Sequence, residues 1–271
     1  MTTLEVLICT INRRIHEVKS VLLPPIEGVR YVVSWQQSGY SCEPPAELDR
    51  PDVTLTTLQG KGLSRNRNNA ISHSTADICL IADDDVIYLP EYFGEVVATF
   101  EADRSLDLAT FKQVGPNLHK SYPDYSFNLS KPPKGYGPSS IEIAFRREAV
   151  AGRLRFNELF GLGAPTLQCG EEVVFLADAL RLGLNARYFP KVVARHDEPS
   201  CTTVRAGEPG MMMGHGASIY YTYRDGTALP RCVLKAWRMS RQSGAPSFFR
   251  SLKLILGGAR YVRKNVKIPN R

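Results

Sequence analysis

The sequence predicts an α/β protein with a mostly parallel sheet covered by helices. Short apolar or β-branched runs alternate with helical patterns through most of the chain, the signature of strands joined by crossover helices. The 271-residue length supports one sizeable core or two small domains. With 43% hydrophobic and 23% charged residues, the composition excludes general disorder.

The elements follow in order. Leu4 to Cys9 is an apolar run, read as a buried strand that ends at Thr10-Ile11-Asn12-Arg13-Arg14. A helix is expected from there to about Leu23, stopped by Pro24-Pro25. Tyr31 to Ser34 and the β-branched Val53 to Leu58 are the second and third strands. Gly60-Lys61-Gly62 introduces a helix from Leu63 to Ser72. Ile78 to Ala82 is a fourth strand and runs directly into Asp83-Asp84-Asp85. A helix over Glu91 to Ala102 and a strand over Leu108 to Lys112 complete the first half.

The second half is less regular. Gln113 to Gly137, rich in Pro, Gly, Tyr and Lys, reads as a long surface loop, and Ile141 to Phe145 as a strand. Phe160 to Pro165 is expected to be a flexible turn region, followed by a helix from Glu171 to Leu182 closed by Gly183. Ala186 to Phe189 and Val192 to Ala194 are short strands leading to His196 at an expected sheet edge. The expected organisation is a domain over residues 1–205 and a basic helical extension over residues 206–271.

The net charge of +7 is unevenly placed. Residues 231–271 carry 11 Lys and Arg and no acid, which leaves the rest at −4. A basic tail on an acidic body argues against a general nucleic-acid binder. In the tail, Phe248, Leu252, Ile255, Ala259 and Val262 fall on one helical stripe, with Arg250, Lys253, Arg260 and Lys264 mainly opposite. That pattern suits an anionic membrane surface or a helix packed on the body, and both readings stand. Gly257-Gly258 would weaken such a helix. The start of the chain shows no secretory pattern, and no run reaches the roughly 20 apolar residues of a membrane span. Six scattered cysteines, Cys9, Cys42, Cys79, Cys169, Cys201 and Cys232, form no C-x-x-C pair. They are expected to be reduced, mostly buried thiols of a cytoplasmic protein, peripheral to the membrane if the tail docks there.

Chemistry is expected at the carboxyl ends of the parallel strands. Three adjacent carboxylates after a buried strand repel one another and need a cation to offset them. Oxygen ligands of this kind suit Mn²⁺ or Mg²⁺ shared with substrate phosphates. A solvated acidic turn is the structural alternative, and the apolar strand before the triplet favours the metal. Gly60 to Asn69 combines a glycine turn, a helix start and Lys61, Arg65 and Arg67, a setting for a diphosphate but not a P-loop. Glu171 and Glu172 open a helix after Gly170, either complementing its dipole or supplying a general base.

Taken in order, these motifs resemble the family-2 inverting glycosyltransferases with the GT-A fold. The resemblance rests on the strand ending at Thr10, Gly62-Leu63-Ser64 to Arg67-Asn68, the D-x-D-like Asp83-Asp84-Asp85, Gly170-Glu171-Glu172 and the late His196. It spans roughly Leu4 to Ser200. It implies an inverting hexosyltransferase moving a sugar from a nucleotide-diphosphate donor, a UDP-sugar, to a glycan or glycolipid hydroxyl, in bacterial surface polysaccharide synthesis. It also implies donor contacts from Thr10, Asn12, Arg13, Gln36, Gly62, Arg67, Asp83 and Asp84. Asp85, Asp83 and His196 would serve the metal. Glu172, with Glu171 beside it, would be the base. Ser34-Trp35-Gln36-Gln37-Ser38 stands where many members carry Asp-Asp-Gly-Ser, so Gln36 would replace the usual base contacts. The competing readings are a sugar-1-phosphate nucleotidyltransferase and a non-catalytic nucleotide-sugar-binding module. Thr10 to Arg14 lacks the glycines the first would want, and the intact acidic motifs count against the second.

Overall fold

The computed structural model describes residues 1–40, 42–118, 120–199, 204–223, 226–241 and 246–268. They form two compact units. The first comprises residues 1–61, 65–155 and 182–198, and the second residues 62–64, 156–181 and 199–271. Residues 156–181 thus group with the C-terminal helices.

The first unit is built on an eight-stranded mixed sheet. Its strands are β1 (Leu4–Ile11), β2 (Val29–Gln37), β3 (Val53–Gln59), β4 (Ile78–Asp83), β5 (Leu108–Val114), β6 (Phe127–Asn128), β7 (Ile143–Arg146) and β8 (Ala186–Arg195). The spatial order is β3-β2-β1-β4-β7-β5-β8-β6. β1, β2, β3 and β4 pair in parallel. β7 is antiparallel to both β4 and β5, which restores the original direction in β5 and β8. The carboxyl ends of β1, β2, β4 and β8 therefore share one edge. Leu4, Val6, Ile8, Ile78, Leu80 and Ile81 are fully buried, as expected for parallel strands covered on both faces. Burying each such side chain contributes roughly 1.5–3 kcal/mol. Helix α1 (Leu63–His73) and α2 (Pro90–Ala102) follow β3 and β4, and Phe93, Val96 and Phe100 of α2 join the main core. The short α3 (Arg147–Val150) follows β7.

Several expectations change. The segment after β1 is not an α-helix but two 3₁₀ turns, Asn12–His16 and Val18–Ser20. Its buried residues, Ile15, Val18 and Val21, recur every three positions, the period of a 3₁₀ helix rather than an α-helix. The Gln113 to Gly137 loop is not purely superficial. It contributes β6, and Phe127 and Tyr136 pack on the buried Tyr188 of β8 at centroid distances of 4.8 and 5.1 Å. The strand expected from Ile141 begins with a 3₁₀ turn, Ser140–Glu142. There the carboxylate of Glu142 accepts the Ser139 backbone N–H at 3.0 Å. The two short strands before His196 are one ten-residue strand, β8, and it lies between β5 and β6 rather than at an edge. Around Phe160 to Pro165 the turn is anchored, with Phe160 and Ala164 buried and Phe160 bridged to Leu167. Cys9, Cys79, Cys169 and Cys232 are buried free thiols and Cys42 is half-buried and free. Cys201 lies outside the described residues.

The second unit holds helices α4 (Glu171–Arg181), α5 (Pro209–Thr222), α6 (Ala228–Met239) and α7 (Phe248–Asn265). α7 carries the apolar stripe seen in the sequence, and the stripe is turned inward: Ile255 and Val262 are fully buried. The helix runs unbroken through Gly257-Gly258. Gly258 has a packing role, because a Cβ there would lie 1.9 Å from the Met213 carbonyl oxygen of α5. Gly216 of α5 is its counterpart, with a Cβ falling 1.8 Å from the Ile255 carbonyl oxygen. The two backbones touch where only glycine fits. Among the described residues, no helix is long and apolar enough to cross a membrane.

Two adjacent glycines should respond in opposite directions. Gly258→Ala forces backbones apart and should cost about 1–3 kcal/mol. A Cβ on Gly257 meets nothing closer than 3.9 Å, so Gly257→Ala should gain up to about 1 kcal/mol of helix propensity. Thermal melts of the two variants check this. Equal shifts would remove the backbone contact as the explanation.

Candidate active site

The site begins with strand register. β1 pairs with β4 so that Cys9 lies opposite Asp83. The next residues, Thr10 and Asp84, then meet just beyond the paired strands. Thr10 Oγ1 donates to Asp84 Oδ2 at 2.6 Å, and both residues are buried. A second polar layer holds Thr10. Asn66 Nδ2 donates to the Thr10 carbonyl at 3.0 Å, while Asn66 Oδ1 accepts from Ser34 Oγ at 2.6 Å. Asn69 Nδ2 donates to the same Ser34 hydroxyl at 2.8 Å. One face of α1 is thus stitched to the ends of β1 and β2.

Cations divide the aspartate triplet among themselves. Arg67 is fully buried and donates from one nitrogen to Asp83 Oδ1 at 3.1 Å and to Ser140 Oγ at 2.7 Å. The Arg14 guanidinium grips Asp84 through two nitrogens and reaches Asp85 Oδ2 at 3.0 Å. His196 Nε2 lies 3.2 Å from Asp85 Oδ1. Burial pushes the Asp84 carboxyl above its usual range, and the bonds from Arg14 and Thr10 only partly reverse this. Asp85 is also pushed up by burial, but His196 and Arg14 outweigh that and hold it below its usual value. The Asp85 hydrogen bond raises His196 against the opposing effect of burial.

His196 reaches Asp85 because the chain ends are tied together. Ile87 and Arg195 exchange backbone hydrogen bonds of 2.8 and 3.0 Å, folding the segment after the triplet against the end of β8. On the other side, the His196 N–H donates to the Val114 carbonyl at 2.9 Å. A Cβ on Gly115 would lie 2.0 Å from the His196 carbonyl oxygen, so only glycine allows this approach.

The remaining expected donor residues fall as follows. Asn12 sits at φ 50, and its side chain accepts the Ser38 N–H at 2.8 Å while its carbonyl accepts from Trp35 Nε1 at 2.9 Å. It closes the turn between the ends of β1 and β2. Arg13 stacks 4.9 Å over Tyr40. Gln36 is buried beside the end of β1. Gly62 adopts φ 133 at the start of α1. The Leu63 N–H there already donates to the Leu162 carbonyl at 2.8 Å, and Ser64 Oγ donates to the Phe160 carbonyl at 2.7 Å.

Glu171 and Glu172 open α4, with Glu171 buried and Glu172 half-buried. Gly161 and Gly170 shape this start. Both have positive φ, and a Cβ on Gly161 would meet Ser64 Oγ at 3.1 Å and the Glu171 carboxylate at 3.3 Å.

Asp85 and His196 are donor types that could hold a divalent cation between them. Asp83 does not join them in one group. Among the described residues, no three His, Cys, Asp or Glu side chains are placed to hold a metal together. The sequence pattern does not single out Arg14. Two adjacent arginines follow β1, and only the 3₁₀ turn decides which one faces the triplet. Nor does the pattern single out Asn66 and Ser140, whose roles depend on tertiary register alone.

Comparison with known proteins bears on the fold. Residues 42–159 match the family model described as glycosyl transferase family 2. The chain resembles the family-2 glycosyltransferases. No curated protein sequence matches it. In structure, it is similar to S. aureus TarS 1–349, with a TM-score of 0.54 and 15% identity over 99% of this chain and 76% of that one. The same protein in complex with UDP-GlcNAc gives 0.54 and 13%, over 98% and 77%. Glucosyl-3-phosphoglycerate synthase from Mycobacterium tuberculosis, in complex with Mn²⁺, UDP and glucosyl-3-phosphoglycerate, gives 0.50 and 17%, over 76% and 75%. These likenesses identify the GT-A fold.

The polar layer under Thr10 should be structural. Asn66→Ala leaves the Thr10 carbonyl and the Ser34 hydroxyl without this partner and should cost roughly 1–3 kcal/mol. Urea unfolding measures it, and an unchanged midpoint would show that the layer does not support the site.

Proposed function

We propose that this chain is an inverting glycosyltransferase that uses Mn²⁺ or Mg²⁺ and moves a sugar from a UDP-sugar to a hydroxyl of a glycan or glycolipid, in the assembly of a surface polysaccharide. The observation that carries the proposal is the Asp85–His196 pair at 3.2 Å, beside the buried Thr10–Asp84 bond at the carboxyl edge of the sheet. That edge is where ligands bind in open α/β sheets. The uridine nucleotides in the TarS and synthase complexes support the choice of donor.

Asp85 and His196 would hold the cation, which when bound offsets charge on the diphosphate. Asp83, steadied by Arg67, takes the ribose or a metal-bound water. Asp84, fixed by Thr10 and Arg14, faces the donor sugar and its phosphates. Gln36 and Asn12 shape the floor for the nucleoside, and Arg13 and Gly62 complete the donor contacts. Glu172 takes the proton from the acceptor hydroxyl, since it is the more accessible of the two acids opening α4, and Glu171 supports it. The acceptor oxygen bonds to the anomeric carbon as the bond to the diphosphate oxygen breaks. The bonding electrons leave with the diphosphate, and the configuration inverts. Arg14 and Arg67 hold fixed positive charge at this edge, the kind of preorganised electrostatics that lowers a barrier without moving during the reaction.

Release of UDP from a panel of UDP-sugars, with Mn²⁺ or Mg²⁺ present, tests the proposal directly. Asp85→Ala should lower metal-dependent release by at least ~100-fold, on the order of the loss of one electrostatic contact in other enzymes, and should abolish the thermal shift given by Mn²⁺ with UDP. Full activity in this variant would overturn the metal assignment. Glu172→Gln should keep the donor-induced thermal shift and lose transfer. If Glu171→Gln does so instead, Glu171 is the base.

A further inference from the structure

Helix α6 is two-faced in a way that α7 is not. Ala228, Cys232, Ala236 and Met239 are buried, and the last three pack with Met212 and Ile255. The opposite face leaves Leu229, Val233, Leu234 and Trp237 exposed at 60, 39, 43 and 47%. Leu229, Val233 and Trp237 recur every fourth residue and form one stripe along the helix. Phe249, at the start of α7, is 80% exposed. Large apolar side chains held together in water usually mark a contact surface.

The charge beside this stripe is of one sign. Arg231 and Arg238 border it and are exposed, although Arg231 also stacks 3.8 Å over the Tyr223 ring, and Arg241 stacks 4.7 Å over the Trp237 ring. From Gly226 to the end of the chain, the sequence contains no Asp or Glu. The stripe also runs to a cavity of about 470 Å³, whose lining includes Leu229, Cys232, Leu256 and Ala259 together with Arg260 and Arg263. Apolar walls with guanidinium groups beside them match an amphiphile with an anionic head. A second copy of this helix would bring cations against cations with no acid to pair them. At twelve residues, α6 is too short to span a bilayer, but it has the composition of a helix lying in the interface.

We propose that α6 is a membrane-surface helix. Its Leu229–Val233–Trp237 stripe enters the headgroup region of an anionic bilayer, while Arg231, Arg238 and Arg241 meet lipid phosphates. Periodicity points first to the α7 stripe, which the fold turns largely inward, and only secondly to the segment of Trp237 and Met239. The placement of α6 rests on the second unit alone and does not depend on the sugar-transfer reading.

Sedimentation of the full chain with vesicles is the test, using phosphatidylcholine alone and phosphatidylcholine enriched in phosphatidylglycerol, at low and high salt. The expected result is binding to the anionic vesicles only, weakened by salt, with a blue shift of tryptophan emission. Trp35 is buried, so that shift reports Trp237. Arg231→Gln with Arg238→Gln should weaken binding by about 25-fold, at about fivefold per cation. Leu229→Gln with Trp237→Gln should weaken it at least ~10-fold, from the loss of apolar burial. All four side chains are exposed, so both variants should keep the parent's helical content, the first losing only the Arg231 contacts with Tyr223 and Thr227, and circular dichroism verifies this. Equal binding to neutral and anionic vesicles, no binding, or parent-like binding by both variants would overturn the proposal. A salt-resistant oligomer dispersed by Leu229→Gln with Trp237→Gln would also overturn it, by assigning the stripe to a protein contact.

Discussion

The parallel pairing of β1 with β4 sets the polar architecture of this protein. By placing Cys9 opposite Asp83, it brings Thr10 and Asp84 within a short hydrogen bond of each other. Every later contact is built on that one. Asn66 holds Thr10 from beneath, Arg14 holds Asp84 from the side, and the ends of β2 and α1 are drawn in through Ser34. A shift of one residue in this pairing would turn the aspartates into the core and strand their charge.

Three adjacent carboxylates at the end of a buried strand repel one another, and the chain offsets them from separate places. Arg67 brings positive charge from α1 and Arg14 from the turn after β1, while His196 brings a ring nitrogen from the end of β8. They differ in exposure. Arg67 is almost fully enclosed, whereas the Arg14 side chain is 48% exposed although it grips an Asp84 side chain only 7% exposed. The enclosed arginine is a fixed part of the framework. The half-exposed one sits where a ligand would arrive.

Much of this was legible in the sequence because it rests on local patterns. The apolar runs of β1, β2 and β4, the β-branched β3 and the triplet after β4 all carry their own signal. The 3₁₀ turns after β1 carry an apolar spacing of three, which is easily absorbed into a helical pattern. β7 lies antiparallel between β4 and β5, an insertion that alternation of strand and helix does not encode. The stripe of α7 illustrates a different limit. Periodicity finds an amphipathic face, but whether that face meets protein or solvent depends on partners, and here α5 covers it through two glycine contacts. On α6, by contrast, the residues with apolar side chains are divided between a buried and an exposed face, which composition alone could not separate.

Gly115 and His196 have a consequence for how this protein can diversify. The backbone at the end of β5 and the backbone after β8 are clamped together by the Val114 carbonyl and by an approach that excludes any Cβ at position 115. The loop that carries β6 leaves the sheet at this clamp. Insertions or deletions in that loop can remodel what it touches without displacing the histidine from its aspartate. The fold thereby insulates the pairing of Asp85 and His196 from changes in a neighbouring loop.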